Sequence, residues 1–404
     1  MINIAVLGYG TVGSGVVKVI NDNHDIVNRH AGQEVNVKYV LDLRDFPDDP
    51  IREKLVHDFR PIVEDEDVKV VVEVMGGVEP AYTFAKQAIN AGKHVCTSNK
   101  ELVAAKGAEL LRLARANKVN FFFEASVGGG IPIIRPLMSS VTADDINEIT
   151  GILNGTTNYI LSKMENEGAD FESVLKDAQE KGYAERNPEA DVEGYDACRK
   201  IAILSSLASG KQVDYEDIYT EGITKITESD FKYAKELKRT IKLLGVSKNV
   251  DGTIYAMVAP FMIKEDHPLA WVNGVFNAIL VNGNMLDDVL FYGQGAGKEA
   301  TASAVVSDVI ECCKNLKHNV PIIWDYDKCQ LGDFGTAKHK FFVRIKGDDL
   351  DVMDKIDSIF GKVFYVKCAD IKGESAFVTE EITEKDFVEK INKIGDMLSY
   401  IRVK

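Results

Sequence analysis

Basic residues, long apolar runs and organised cysteines are what this 404-residue chain has little of. Lysine and arginine number 48 against 63 aspartates and glutamates, for a formal net charge of −15 and a pI near 5.1. That sign disfavours nucleic acid and anionic membrane surfaces as partners. No uninterrupted apolar stretch approaches the ~20 residues of a membrane-spanning helix, so no membrane role is expected. The first residues read as a strand of the fold and not as a secretory leader. Six cysteines (Cys96, Cys198, Cys312, Cys313, Cys329 and Cys368) lack Cys-x-x-Cys spacing, and two of them adjoin in an expected helix. A disulfide or zinc framework is thereby disfavoured, and a reducing cytoplasm fits. At this length two or three domains are expected.

The N-terminus carries the first positive signal. Ile2-Asn3-Ile4-Ala5-Val6-Leu7 reads as a buried parallel strand, followed by Gly8-Tyr9-Gly10-Thr11-Val12-Gly13 and then Val16, Val17, Val19 and Ile20 at helical spacing. Strand, Gly-x-Gly-x-x-Gly and helix in that order is the context of the dinucleotide fingerprint. Gly8 permits the tight turn, Gly10 lets the backbone approach a pyrophosphate, and Gly13 lets helix and strand pack closely. Thr11 and Val12 open the helix whose N-terminal N–H groups meet the phosphates. Val35 to Leu41 reads as the second strand, ending at Asp42-Leu43-Arg44, with His24 to Gln33 as an insertion before it. An acidic residue there takes ribose hydroxyls, and an arginine accommodates a 2′-phosphate. Both types are present, so NAD(H) and NADP(H) are each expected to work, with NADP(H) favoured because arginine pairs bidentately with phosphate. Val68 to Met75, ending in Gly76-Gly77, and His94 to Thr97, opening into a Ser98-Asn99-Lys100 loop, are further strands. Ligands of open α/β sheets lie beyond the carboxyl ends of strands. Met75, Gly76, Thr97, Ser98, Asn99 and Lys100 are therefore expected to face the nicotinamide.

The middle of the chain has a different texture. Phe121 to Glu124 reads as a strand running into Gly128-Gly129-Gly130, whose backbone carbonyls are free to bind a cation or a cofactor amide. Ile146 to Leu153 is a strand leading to Asn154-Gly155-Thr156-Thr157-Asn158-Tyr159 and a helix, and strands follow at Asp251 to Ala259 and Asn277 to Gly283. Gly293 to Gly297 is a second glycine-rich strand end, followed by a helix from Ala300 to Leu316 that closes this segment over the cofactor. Between them lies the segment Gly182-Tyr183-Ala184-Glu185-Arg186-Asn187-Pro188-Glu189-Ala190-Asp191-Val192-Glu193-Gly194-Tyr195-Asp196-Ala197-Cys198-Arg199-Lys200. Glu185 and Asp191 fall in a loop that Pro188 is expected to keep from becoming helical. Asp196 and Lys200 share a helix face. Carboxylates beside a cationic proton donor suit a small zwitterionic substrate. An isolated i,i+4 pair, by contrast, is a surface ion pair worth ~0.3–0.5 kcal/mol.

The tail alternates as strand, helix, strand, strand, helix, strand from Phe341 to Val403, a ferredoxin-like split β-α-β. The expected architecture is thus α/β with three parts. A Rossmann dinucleotide-binding domain spans 1–130 plus about 300–330, an α+β catalytic and dimerisation domain spans 131–300, and a separate βαββαβ module spans 338–404.

Taken together, the glycine fingerprint, Thr97-Ser98-Asn99-Lys100, Ala125-Ser126-Val127-Gly128-Gly129-Gly130-Ile131-Pro132, Asn154 to Tyr159, the Gly182 to Lys200 cluster and Gly293-Gln294-Gly295-Ala296-Gly297 come in the order found in homoserine dehydrogenases. The chain resembles that family from residue 1 to about 330. The resemblance implies reduction of L-aspartate 4-semialdehyde to L-homoserine by a nicotinamide cofactor, on the route to threonine and methionine. It assigns Lys200 as proton donor, Asp196 as a second catalytic group and Lys100 as an active-site lysine beside the nicotinamide. Glu185, Asp191, Asp196, Gly155, Thr156, Gly182 and Tyr183 would bind substrate, and Gly297 would join the cofactor site. Glu124, Val127, Gly129 and Ile131 match backbone ligands of a structural sodium ion, and a homodimer or homotetramer is implied. Ser98 departs from the family's more usual alanine. The tail resembles amino-acid-sensing ACT domains, but Gly347-Asp348-Asp349-Leu350 stands where those carry Pro-Gly, so weak or no inhibition by threonine is expected.

Two other classes compete. A thiol-dependent semialdehyde dehydrogenase needs a nucleophilic cysteine with a partner base, and neither Cys96 nor Cys198 has an evident one. A non-catalytic sensor of dinucleotide and amino acid would use the tail, but gives Lys100, Asp196 and Lys200 no reason to converge.

Overall fold

The computed structural model describes residues 1–404, which divide into two compact units. The first comprises Met1–Asp145, Ala202–Glu216 and Phe291–Cys329; the second comprises Ile146–Ile201, Asp217–Leu290 and Gln330–Lys404. The boundary expected near 131 therefore falls after Asp145, and the tail belongs to the second unit instead of standing alone.

In the first unit, six parallel strands lie in the order Leu55–Val56, Val35–Leu41, Ile2–Leu7, Val68–Glu73, His94–Thr97 and Phe121–Phe122. In chain order this is 3-2-1-4-5-6, the doubly wound arrangement whose ligands sit at the switch between the first and fourth strands. Both central strands are almost continuously apolar and buried, as strands covered on two faces must be. The presumed insertion is a helix, His24–Ala31, ended by Gly32 in the left-handed region. The expected strand at Phe121 to Glu124 stops at Phe122, and Glu124–Ser126 forms a 3₁₀ turn.

The second unit holds a mixed eleven-stranded sheet. Its longest pair, Arg239–Val250 against Thr253–Lys264, is antiparallel over twelve residues of each strand. The strand Arg239–Val250 was not expected from sequence. Its signal was the Asp251-Gly252 turn: both residues have positive φ, 51° and 85°, as a two-residue type I′ hairpin requires. The strand Ile146–Ile152 pairs with Arg239–Val250 on one side and Phe276–Gly283 on the other.

The tail has the expected βαββαβ order, with its strands arranged as Met397–Val403, Lys338–Lys346, Glu374–Thr379 and Val363–Val366. It does not form a separate sheet. Met397–Val403 runs parallel to Thr253–Lys264, pairing Phe261 with Arg402 and Met262 with Val403. Buried charge ties the join: the Arg344 guanidinium donates to Asp230 Oδ1 at 2.9 Å and bidentately to Glu374 at 2.8 and 2.9 Å. Arg402 likewise donates to Glu384 at 2.6 and 3.0 Å and to Glu221 at 2.7 Å. Asp230 is fully buried, so removing its cation leaves an uncompensated charge. Arg344→Leu should lower the free energy of unfolding by ~3–5 kcal/mol in denaturant titration. An unchanged midpoint would show that strand pairing alone seats the tail.

Candidate active site

In the first unit the glycine loop has the shape a dinucleotide needs. Gly8 holds φ at +95°, and a Cβ on Gly13 would stand 1.8 Å from the Gly8 carbonyl oxygen, so no other residue fits there. Gly10 caps the helix Thr11–Asp22 with no side chain engaging its first N–H groups. Nothing lies within 4 Å of a Cβ built at Gly10 or at Gly76. An uncapped helix start facing open space is suited to a pyrophosphate.

At the end of the second strand, Asp42 Oδ2 accepts from the Tyr9 amide at 2.8 Å. Arg44 pairs bidentately with the same carboxylate through Nε and Nη2, each at 2.9 Å. The guanidinium holds the Asp42 carboxyl well below the usual carboxylate range, while the Arg44 side chain remains 62% exposed.

Beneath the next strand ends lies Glu73, which sequence reasoning missed. It is fully buried, and burial raises its pKa. It accepts from the Met75 amide at 2.8 Å and the Thr97 hydroxyl at 2.6 Å. Asn99 donates to the Gly77 carbonyl at 2.6 Å and caps the following helix through Leu102 N at 3.1 Å. Thr97 and Asn99 thus spend their side chains on joining two strand ends, which leaves backbone for a cofactor. Lys100 is the first residue of the helix Lys100–Ala116 and not a loop residue, because Asn99 supplies the cap that starts the helix there.

The Glu124 to Ile131 loop is shaped by carboxylates. Glu124 accepts from the amides of Ile133, Ile134 and Arg135 at 2.6–2.8 Å. Its own amide donates to Asp308, which also receives Arg135 at 2.5 Å. Burial pushes the Asp308 carboxyl up to about 7. Gly129 has φ of +56° and lies against Gly295, and the Gly130 amide donates to the Gln294 carbonyl at 3.1 Å. With the Glu124 carboxylate committed to three amides, backbone carbonyls are what this loop offers a cation. Hard oxygens of that kind suit one without redox chemistry.

The second unit brings together Asp191, Asp196 and Lys200. The Lys200 ammonium donates to Asp196 Oδ2 and to the Leu153 carbonyl, both at 2.7 Å. The pair is buried, with side chains 10% and 5% exposed, so it is not the weak surface type. Desolvation can cost such a pair more than its attraction returns, so burial alone does not make it a stabilising contact. Asn154, whose part in the cluster was missed by sequence reasoning, donates to Asp191 Oδ1 at 2.7 Å and Asp196 Oδ2 at 2.9 Å. Thr156 donates to the Tyr183 carbonyl at 2.6 Å, and the Tyr183 ring stands edge-on to Tyr159 at 5.0 Å. Gly155 opens the helix Gly155–Glu167, while Gly182 turns the exposed segment before Tyr183 at φ of +74°. Glu185 is exposed, and its carboxylate makes no bond to this cluster. The expectation that Pro188 prevents helix is corrected. Glu189–Val192 is a helical turn, started by Pro188, whose missing N–H is not needed at a helix start.

Comparison with known proteins gives the family. Residues 132–310 match the homoserine dehydrogenase family, and residues 8–124 match the NAD binding domain of homoserine dehydrogenase. A homoserine dehydrogenase of Synechocystis is 47% identical over 438 residues, covering 100% of this chain and 99% of its own. The chain belongs to the homoserine dehydrogenase family. A homoserine dehydrogenase structure from Thiobacillus denitrificans superposes with a TM-score of 0.93 at 36% identity, covering 100% of this chain and 98% of that one. A hyperthermophilic archaeal homoserine dehydrogenase in complex with NADPH has a TM-score of 0.65 at 28% identity, covering 77% and 97%. The activity is therefore the nicotinamide-dependent, reversible interconversion of L-aspartate 4-semialdehyde and L-homoserine. No helix is long and apolar enough to cross a membrane.

Membership in the homoserine dehydrogenases also disposes of thiol chemistry, and the structure adds the physical reason. Cys96 and Cys198 are buried, and burial raises both thiols away from the reactive thiolate. Cys96 lies sulfur to sulfur with Cys312 at 3.5 Å, an interior contact.

Proposed function

We propose that Lys200 is the proton donor of this homoserine dehydrogenase, with Asp196 and Asp191 holding the lysine and the substrate's ammonium. The observation that carries this is the buried Lys200 ammonium bound between Asp196 Oδ2 and the Leu153 carbonyl, both at 2.7 Å. A bound nicotinamide supplies or accepts the hydride. As charge grows on the substrate oxygen, the ammonium stabilises and then protonates it; in the reverse direction the lysine takes that proton back. A site with little water strengthens every such contact. Lys100 is the second active-site lysine of this scheme, and Glu185 is a substrate-binding carboxylate of it. The fingerprint Gly8, Gly10, Thr11, Val12 and Gly13, with Gly76, Thr97, Ser98, Asn99, Lys100 and Gly297, forms the cofactor site.

Both nicotinamide cofactors serve, with NADP(H) modestly ahead. The Arg44 side chain is largely exposed, and the archaeal relative holds NADPH. The lead is modest because a 2′-phosphate must compete with Asp42 for one guanidinium. The carbonyls of Glu124, Val127, Gly129 and Ile131 would hold a structural sodium ion. The chain acts in the cytoplasm as a homo-oligomer, for which the edge strand Asp287–Gln294, with Leu290 and Tyr292 exposed, offers a surface. The tail is a structural module more than a sensor. At the turn where a ligand would be held, the Gly347 amide donates to the Gly373 carbonyl at 2.8 Å. Asp348 takes the Gly373 amide at 3.0 Å, and Asp349 caps the helix through Val352 N at 2.9 Å.

Replacing Lys200 with Met keeps its length and removes its charge. Turnover should fall ~10²–10⁴-fold while cofactor binding persists; near-normal turnover in the folded variant would return the cluster to a structural ion pair. Arg44→Ala should raise KM for NADP(H) and leave that for NAD(H) almost unchanged, and equal losses would show that the arginine does not read the phosphate. Threonine titrated against the full chain should inhibit weakly or not at all. Inhibition at micromolar threonine would make the tail a sensor.

A further inference from the structure

We infer that Asn154 is a positioning residue for this reaction, its carboxamide holding Asp191 and Asp196 as one fixed pair beside Lys200. The inference rests on the proposed role of that cluster. Asn154 is buried, and it uses both ends of its amide. Its Oδ1 accepts from the Thr157 amide at 2.8 Å and the Thr157 hydroxyl at 3.1 Å, which caps the helix Gly155–Glu167. Its Nδ2 donates to Asp191 Oδ1 at 2.7 Å and to Asp196 Oδ2 at 2.9 Å. A carboxamide nitrogen carries two hydrogens, one for each carboxylate. Two carboxylates drawn to one point repel, and a donor between them offsets that repulsion.

The neighbouring residue completes the arrangement. The Leu153 carbonyl holds the Lys200 ammonium at 2.7 Å, and the same ammonium meets the Asp196 oxygen that Asn154 also binds. Two successive residues therefore set the lysine and both acids. They sit where the strand Ile146–Ile152 ends and a helix begins, so their backbone is fixed at both sides. Asn158, one turn on, anchors the loop beyond with Nδ2 bonds to the carbonyls of Val272, Gly274 and Phe276 at 3.0–3.1 Å. The Val275 carbonyl of that loop would stand 2.8 Å from a Cβ on Gly155, so the turn carrying Asn154 is held from behind.

The cap and the clamp can be separated by chemistry. Asn, Asp and Ser cap helices about equally well, but Asp cannot donate and adds a third negative charge, while Ser is too short to reach both acids. A residue that only caps predicts that Asn154→Asp and Asn154→Ser both stay close to wild type. A clamp predicts that both fail and that Asp is the worse, although it is the closer in shape.

The experiment is steady-state kinetics of homoserine oxidation by the full-length variants, with thermal unfolding measured alongside. Asn154→Ser should lower kcat/KM for homoserine by ~10²-fold, through misplacement of groups around the chemistry. Asn154→Asp should lower it further, with KM for the nicotinamide cofactor held near wild type in both folded variants. Equal, small effects of the two substitutions, or an Asp variant with near-normal kcat/KM for homoserine, would overturn the inference. Lys200→Met run in parallel separates the two claims. If it stays active, the reading of the cluster fails; if it is inactive while Asn154→Asp is normal, only the clamp fails.

Discussion

The second unit is arranged around one desolvated contact, the Lys200 ammonium against the Asp196 carboxylate. A buried charge needs every neighbour to be polar and in place, and the neighbours come from three directions: the Leu153 carbonyl at a strand end, the Asn154 amide at a helix start, and Asp191 from the helical turn Glu189–Val192. The packing that seats the lysine's helix depends on small residues. A Cβ on Gly245 would meet the end of the Leu153 side chain at 2.8 Å and Ile201 at 3.2 Å, so the strand Arg239–Val250 packs closely against the helix Tyr195–Ser209 there. A polar cluster this buried is costly unless fully satisfied, which is why so much of the surrounding backbone is committed to it.

The first unit solves a different problem, presenting an anion site without a charged side chain in the glycine loop. Open backbone at Gly10 and an uncapped helix start do this through partial charges. Charge enters only further along. The Asp42 and Arg44 pair stands at the second strand end, and Glu73, buried under the Gly76-Gly77 turn, ties the fourth strand to the fifth through Thr97. Glu73 and Asn99 together make the two strand ends one surface, so the residues expected to contact the nicotinamide are held by groups that do not face it.

The tail shows how a module of recognisable topology becomes part of its host. Its four main strands have the split β-α-β order, yet its last strand joins the catalytic sheet, and two arginines, Arg344 and Arg402, cross the join to carboxylates on both sides. Arg344 and Asp230 are each buried, so neither half of the join is complete alone.

Much of this was legible in the chain because the physics was local. The glycine fingerprint, the apolar runs of the central strands and the four-residue spacing of Asp196 and Lys200 each express a constraint acting within a few residues, and each holds in the structure. Pro188 misled because proline's bar on helix interiors does not extend to helix starts. What sequence could not supply were partners distant in the chain. Asn154 meets Asp196 across 42 positions, Arg344 meets Asp230 across 114, and Glu124 meets Asp308 across 184. No periodicity or motif encodes such pairs. The sequence by itself determined the class of the fold and the residues of the fingerprint and cluster. Only the tertiary structure decided that the lysine is buried, which amide clamps its carboxylates and where the tail attaches, because burial and long-range pairing exist only once the sheets have assembled.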